Sequence, residues 1–212
     1  MRLHPLLLLS LLPLVFASCR SGEAALRTGD LLFVAADAQD GSMAAAIEDA
    51  TGNFIHVAML EVQADGAVWV TDATTRRGVD RHPLDTLVAD FTAPDGTLPR
   101  LCVKRLREKY DFEAFLKRSR PLLGLPYDFT FLPDNRAYYC SELVQECYRR
   151  PDGAPLFEAR PMNFLNAEGE MPPYWTRLFG RLGMPVPQGE PGTNPTDMAA
   201  SDLLEDVPFS FF

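Results

Sequence analysis

The chain has 212 residues, with 20 basic against 29 acidic side chains and a formal net charge of −9 at pH 7. So acidic a protein lacks the positive field that non-specific nucleic-acid binding or polybasic attachment to anionic lipid requires. Its length suits one domain with a full core.

From the start, Met1-Arg2 leads into an apolar run from Leu6 to Phe16 that ends on the small residues Ala17 and Ser18. One positive charge, an apolar stretch too short to cross a bilayer and a small-residue end read as a secretory signal over 1–18. An N-terminal core helix is the alternative. Val15-Phe16-Ala17-Ser18-Cys19 also resembles a bacterial lipoprotein cleavage box. That resemblance implies lipidation of Cys19, an exported protein of the periplasm or outer envelope, and membrane contact only through the lipid; ordinary secretion is the rival. Loss of 1–18 removes Arg2 and no acidic residue, which takes the net charge from −9 to −10. Residues 19–27 read as a linker and 28–212 as a single domain.

Gly29-Asp30 looks like a turn feeding a buried strand over 31–34, with Asp30 accepting turn N–H groups. Ser42 to Thr51 is alanine-rich and helical, stopped by Gly52-Asn53. Two apolar, β-branched runs, 54–62 and 67–73, flank Ala64-Asp65-Gly66, and Asp-Gly between such runs predicts a hairpin. Residues 76–80 read as a polar turn, with Val79 opening another short strand. Leu98 to Lys104 reads as a strand, and Phe112, Phe115 and Leu116 mark a helix face within 111–118. A loop over 121–133 precedes a helix from Cys140 to Arg150 that groups Leu143, Val144, Cys147 and Tyr148 on one face. From Ala154 onward the chain is proline-rich and reads as an irregular wrap. The class is α+β, with an antiparallel sheet and a few packed helices.

Cys140 opens the predicted helix, where the helix dipole favours a thiolate and, equally, the carboxylate of Glu142. A buried, inert thiol is the plain alternative. His56 lies in the strand Phe54-Ile55-His56-Val57-Ala58, and is the natural base for that thiol unless it is only a core histidine. His82, in Asp80-Arg81-His82-Pro83, has a turn-like polar setting and reads as surface. A base needs a partner to fix its tautomer. Asp72, across the hairpin, is the first choice; Glu61, an odd number of residues from His56 and so on the other strand face, is the second. If Cys140 and Cys147 share a helix they stand roughly 10 Å apart along it, at about 1.5 Å per residue, too far for a disulfide. Cys102 reads as a buried thiol, a bridge to Cys147 being its alternative. No metal-ligand constellation and no phosphate-binding glycine loop can be read, so no cofactor is expected.

Four blocks occur in order: Gly29-Asp30-Leu31-Leu32-Phe33, Ile55-His56-Val57-Ala58-Met59-Leu60, Leu123-Gly124-Leu125-Pro126-Tyr127-Asp128-Phe129, and Tyr139-Cys140-Ser141-Glu142-Leu143-Val144. Together they resemble the YiiX/YebB-like branch of the permuted papain-fold, NlpC-type cysteine hydrolases, over about Thr28 to Arg150. Weaker similarity continues through Asn194-Pro195-Thr196 to the end of the chain. The resemblance implies a circularly permuted papain-like fold in which the histidine strand precedes the cysteine helix. It also implies Cys140 as nucleophile, His56 as base and a polar third residue. Where the family commonly has Glu before Ala, this chain has Asp72, one methylene shorter. Tyr127 and Asp128 match a Tyr-Asp pair of the family and are candidate substrate-binding residues; loop packing is the alternative for Tyr127.

The expected activity is hydrolysis of an envelope amide, either a peptidoglycan stem-peptide bond or an N-acyl, lipid-like amide. Acyl transfer or thioester cleavage on acyl lipids, a non-catalytic envelope binding protein, and a thiol-redox protein using Cys140 without His56 are the rivals.

Overall fold

The protein is described by a computed structural model over residues 24–35 and 42–211. The expected signal, the lipidation candidate Cys19 and the start of the linker lie outside the described residues. Among the described residues no helix is long and apolar enough to cross a membrane.

In chain order the elements are β1 (Leu31–Ala35), α1 (Met43–Thr51), β2 (Phe54–Val62), β3 (Val68–Thr74), β4 (Gly78–Pro83), α2 (Leu84–Phe91), β5 (Leu101–Leu106), α3 (Phe112–Ser119), α4 (Cys140–Cys147), β6 (Arg160–Pro161), α5 (Pro173–Leu182), β7 (Pro191–Gly192), α6 (Pro195–Ala199) and β8 (Leu204–Val207). The main sheet is antiparallel in the order β4-β3-β2-β1-β5-β8. Ser42 caps α1 by accepting the Ala45 N–H at 3.1 Å. The 64–66 turn joins β2 to β3 as a hairpin, in register from Met59↔Thr71 to Val62↔Val68.

Strand alternation puts an apolar layer on each face of the sheet. On one face Leu31, Phe33, Val57 and Met59 pack with Leu143, Val144 and Cys147 of α4 and Phe115 of α3. On the other, Leu32, Val34, Ala58, Leu60 and Val70 meet Leu87 of α2, with Leu26 and the terminal Phe209 and Phe211 closing over them. A third cluster joins Phe131, Phe164, Trp175 and Phe179, seating α5 against Ala46 of α1 and Tyr139 just before α4.

Several expectations are corrected. The polar stretch 76–80 divides: the turn covers 75–77, and the strand expected from Val79 opens at Gly78 as β4, a full edge strand paired with β3. Residues 84–91, unassigned in the sequence, form α2. The helix at Cys140 stops at Cys147, although Tyr148 stays wholly buried beyond it. The wrap is more regular than expected: α5 and α6 lie within it, and β8 extends the main sheet. Cys102, Cys140 and Cys147 are free thiols, and Cys102 is half-buried rather than buried.

Candidate active site

Cys140 is the first residue of α4, after Tyr139 in an extended conformation (φ −90°, ψ 170°). The N–H groups of a helix's first turn have no intrahelical acceptor, so the Cys140 N–H is not used by the helix ladder. Leu143, Val144 and Cys147, all buried, pin the helix to the β2 side of the sheet, so the thiol sits on a rigid mount. Glu142 Oε2 accepts the Tyr139 N–H at 3.4 Å. Burial, with the negative charge of Asp128, pushes the Glu142 carboxyl up to about 8. Near neutral pH it is therefore largely uncharged and does not oppose an anionic sulfur.

His56 and Asp72 stand just beyond the paired part of the β2–β3 ladder, where their side chains meet. His56 Nε2 lies 2.8 Å from Asp72 Oδ2, and both groups are buried. With Nε2 on the carboxylate, Nδ1 is the nitrogen left for Cys140. Burial opposes charge on the ring, but hydrogen bonds to Asp72 and Cys140 and their negative charge outweigh it, raising the His56 pKa from 6.5 to about 10. Burial likewise opposes ionisation of Asp72, and is outweighed by hydrogen bonds from His56 and from His82, which hold the carboxyl at about 2. The Phe91 ring packs 4.8 Å from the imidazole, a wall supplied by α2.

The sequence candidates thus fall into two groups. Cys140, His56 and Asp72 come together. Glu61, the alternative acid, is bound to Arg81 at 2.7 Å and to Gln63 at 2.9 Å. Tyr127 reaches the site: it lines an apolar pocket beside Cys140 with Ile47, Ile55, Phe131, Phe164 and Trp175. Asp128 is turned into its own loop, accepting from Thr130 N–H (2.7 Å), Thr130 Oγ1 (2.6 Å) and Leu132 N–H (3.1 Å). Asp30 organises the first turn as expected, taking the Arg27 N–H at 2.8 Å and Arg105 on both oxygens.

His82 corrects the sequence reading outright. It is 5 % exposed, on β4, with Nε2 3.1 Å from Asp72 Oδ1. Because its polar residues make β4 resemble a turn, the sequence hides which face His82 takes. The Val70↔His82 and Asp72↔Asp80 pairing puts His82 and Asp72 on one side of the sheet. Trp175 carries no sequence signal beyond its aromatic segment, since only the packing of α5 brings it to the pocket.

A cysteine on a helix N-terminus facing a strand-borne His–Asp pair, with the histidine strand first in the chain, defines a papain-like cysteine hydrolase in permuted order. The family described as permuted papain-like amidase enzymes, YaeF/YiiX, C92 family, matches over residues 25–208, and the chain belongs to it. The crystal structure of metalloprotein yiiX from Escherichia coli O157:H7 is similar in fold. It has a TM-score of 0.69 at 23% identity, over 89% of this chain and 100% of that one. No curated protein matched the sequence.

Proposed function

We propose that the protein is an exported cysteine amidase acting on amides with an apolar acyl group. The observation that carries the chemistry is the buried His56–Asp72 bond at 2.8 Å beside the helix-borne Cys140. His56 Nδ1 takes the thiol proton, and the sulfur attacks the amide carbonyl carbon. The oxygen that gains charge is stabilised by the Cys140 N–H. When the C–N bond breaks, His56 returns the proton to the leaving amine, and a thioester remains on Cys140. Water, deprotonated by His56, cleaves the thioester and releases the carboxylic acid and the free thiol. Asp72 keeps its charge throughout and holds the ring.

The apolar pocket beside Cys140 favours an N-acyl amide over a charged stem peptide as substrate. The leader over 1–18 and Cys19 support export and lipid anchoring. The similar yiiX protein is described as a metalloprotein. Among the described residues here no three His, Cys, Asp or Glu side chains converge as metal ligands. The donor set does not fit an ion, and the steps above run through Cys140, His56 and Asp72.

The test is hydrolysis of N-acyl amides from acetyl to dodecanoyl by the full chain, beside stem peptides and a C140A control. Each buried CH2 contributes about 0.8 kcal/mol, so kcat/KM is expected to rise roughly fourfold per CH2 until the pocket is full. Flat dependence on chain length, or preference for stem peptides, overturns the substrate reading. Turnover that survives C140A overturns the mechanism.

A further inference from the structure

The function above uses one oxygen of Asp72, and the structure occupies the other. Oδ2 meets His56 Nε2 at 2.8 Å, and Oδ1 meets His82 Nε2 at 3.1 Å. A carboxylate only accepts, so each contact needs a proton on the histidine nitrogen. The other nitrogen of His82, Nδ1, lies 3.1 Å from the carbonyl oxygen of Pro83, which also only accepts. Both ring nitrogens of His82 therefore face acceptors, and only the doubly protonated ring satisfies both. From the β3–β4 connection Arg77 Nη2 comes within 3.2 Å of His82 Nε2, where it would compete as a donor to a neutral ring. It is held elsewhere, on Asp90 of α2 and near Asp80 of β4 at 3.3 Å.

We propose that His82 is a positioning residue of the amidase: by donating to Oδ1 it fixes the plane of the Asp72 carboxylate so that Oδ2 meets His56. This inference rests on the reading of Cys140, His56 and Asp72 as the reacting group. His82 touches neither the thiol nor the pocket beside it; it acts through Asp72. The groups facing it are Asp72 of β3, Arg77 of the connection and, through Asp72, His56 of β2, with Asp80 and Asp90 neutralising Arg77. Burial lowers the His82 pKa, but the bond and charge of Asp72 outweigh it and leave it raised, in keeping with a protonated ring.

The test measures alkylation of Cys140 by iodoacetamide against pH in the full chain, together with kcat and KM on the best acyl amide, for wild type, H82A and H82Q. The H82Q side-chain amide can still donate one N–H without charge. In H82A the carboxylate loosens, so the alkaline limb of the kcat–pH profile, set by His56, is expected to move toward 6.5, and kcat to fall about tenfold with KM unchanged. H82Q is expected to recover most of both. A limb that stays put, or that rises as it would if His82 acted only by its charge, overturns the proposal, as does an H82Q no better than H82A. Imidazole ¹⁵N spectra of the wild-type chain need no variant to fold: two protonated nitrogens on His82 are expected at neutral pH, and a neutral ring overturns the proposal. Wild-type Cys140 with ordinary reactivity overturns this inference and the amidase reading together. Reactive wild type with an indifferent H82A overturns this inference alone.

Discussion

At Asp72 one buried carboxylate serves a histidine on each oxygen, so its charge carries both contacts. D72N keeps the shape and removes that charge. Turnover is expected to fall by about 10²–10⁴, as when a triad acid is replaced by its amide. Stability should follow a pH window whose sign comes from the two partners. Asp72 is lowered from 3.8 to about 2, so its contribution is full above 3.8 and lost as pH falls through 2. His56 is raised from 6.5 to about 10, so its contribution is full below 6.5 and lost as pH rises through 10. The melting-temperature gap between wild type and D72N should therefore be widest between pH 3.8 and 6.5 and narrow on both sides. A gap that stays the same from pH 2 to pH 10 would remove Asp72–His56 pairing as its source.

Between elements, the register of α4 against the sheet depends on a close approach at Gly29. Its φ is +88°, a region that costs an L-residue about 1–2 kcal/mol, and a Cβ there would stand 1.8 Å from the Phe112 ring. Just past α4, the Tyr148 hydroxyl donates to the Gly29 carbonyl at 2.9 Å in a buried setting. G29A should melt well below wild type, and F112A should restore only the part due to the clash, leaving the backbone strain. If the two losses simply add, the clash is not the cause. Legibility in the amino-acid sequence divides along similar lines. Asp65-Gly66 announces the hairpin, and the hairpin carries Asp72 to His56; helix-start chemistry picks out Cys140. The misreadings arise where local signals mislead. In β4, Asp80 and Arg81 mask an edge strand whose inward residue is a histidine. In α2, Leu84, Leu87, Val88 and Phe91 have helical spacing but follow a proline that looks like loop. α5 owes its place to the aromatic cluster of Phe131, Phe164 and Trp175, contacts between segments far apart in sequence.

Across the whole molecule, the C-terminal segment ties together the elements that carry Cys140 and His56 rather than merely covering them. The Thr193 N–H donates to the Tyr139 hydroxyl at 3.0 Å, one residue before Cys140. Thr196 Oγ1 accepts the Phe54 N–H at 3.0 Å and donates to its carbonyl at 3.3 Å, two residues before His56. β8 then carries the same segment back to the sheet beside β5. Besides the Ala35↔Phe54 pairing with β1, this hydroxyl is the side-chain acceptor for the Phe54 N–H at the start of β2. T196V keeps the shape and removes the bonds, which should cost about 0.5–1.5 kcal/mol. The start of β2 would then fray toward His56, so kcat should fall several-fold with KM nearly unchanged, and T196S should restore both. Melting curves and steady-state kinetics on the three chains decide the matter. If T196V loses stability but turns over at the wild-type rate, the segment braces the fold without aligning the strand that carries His56.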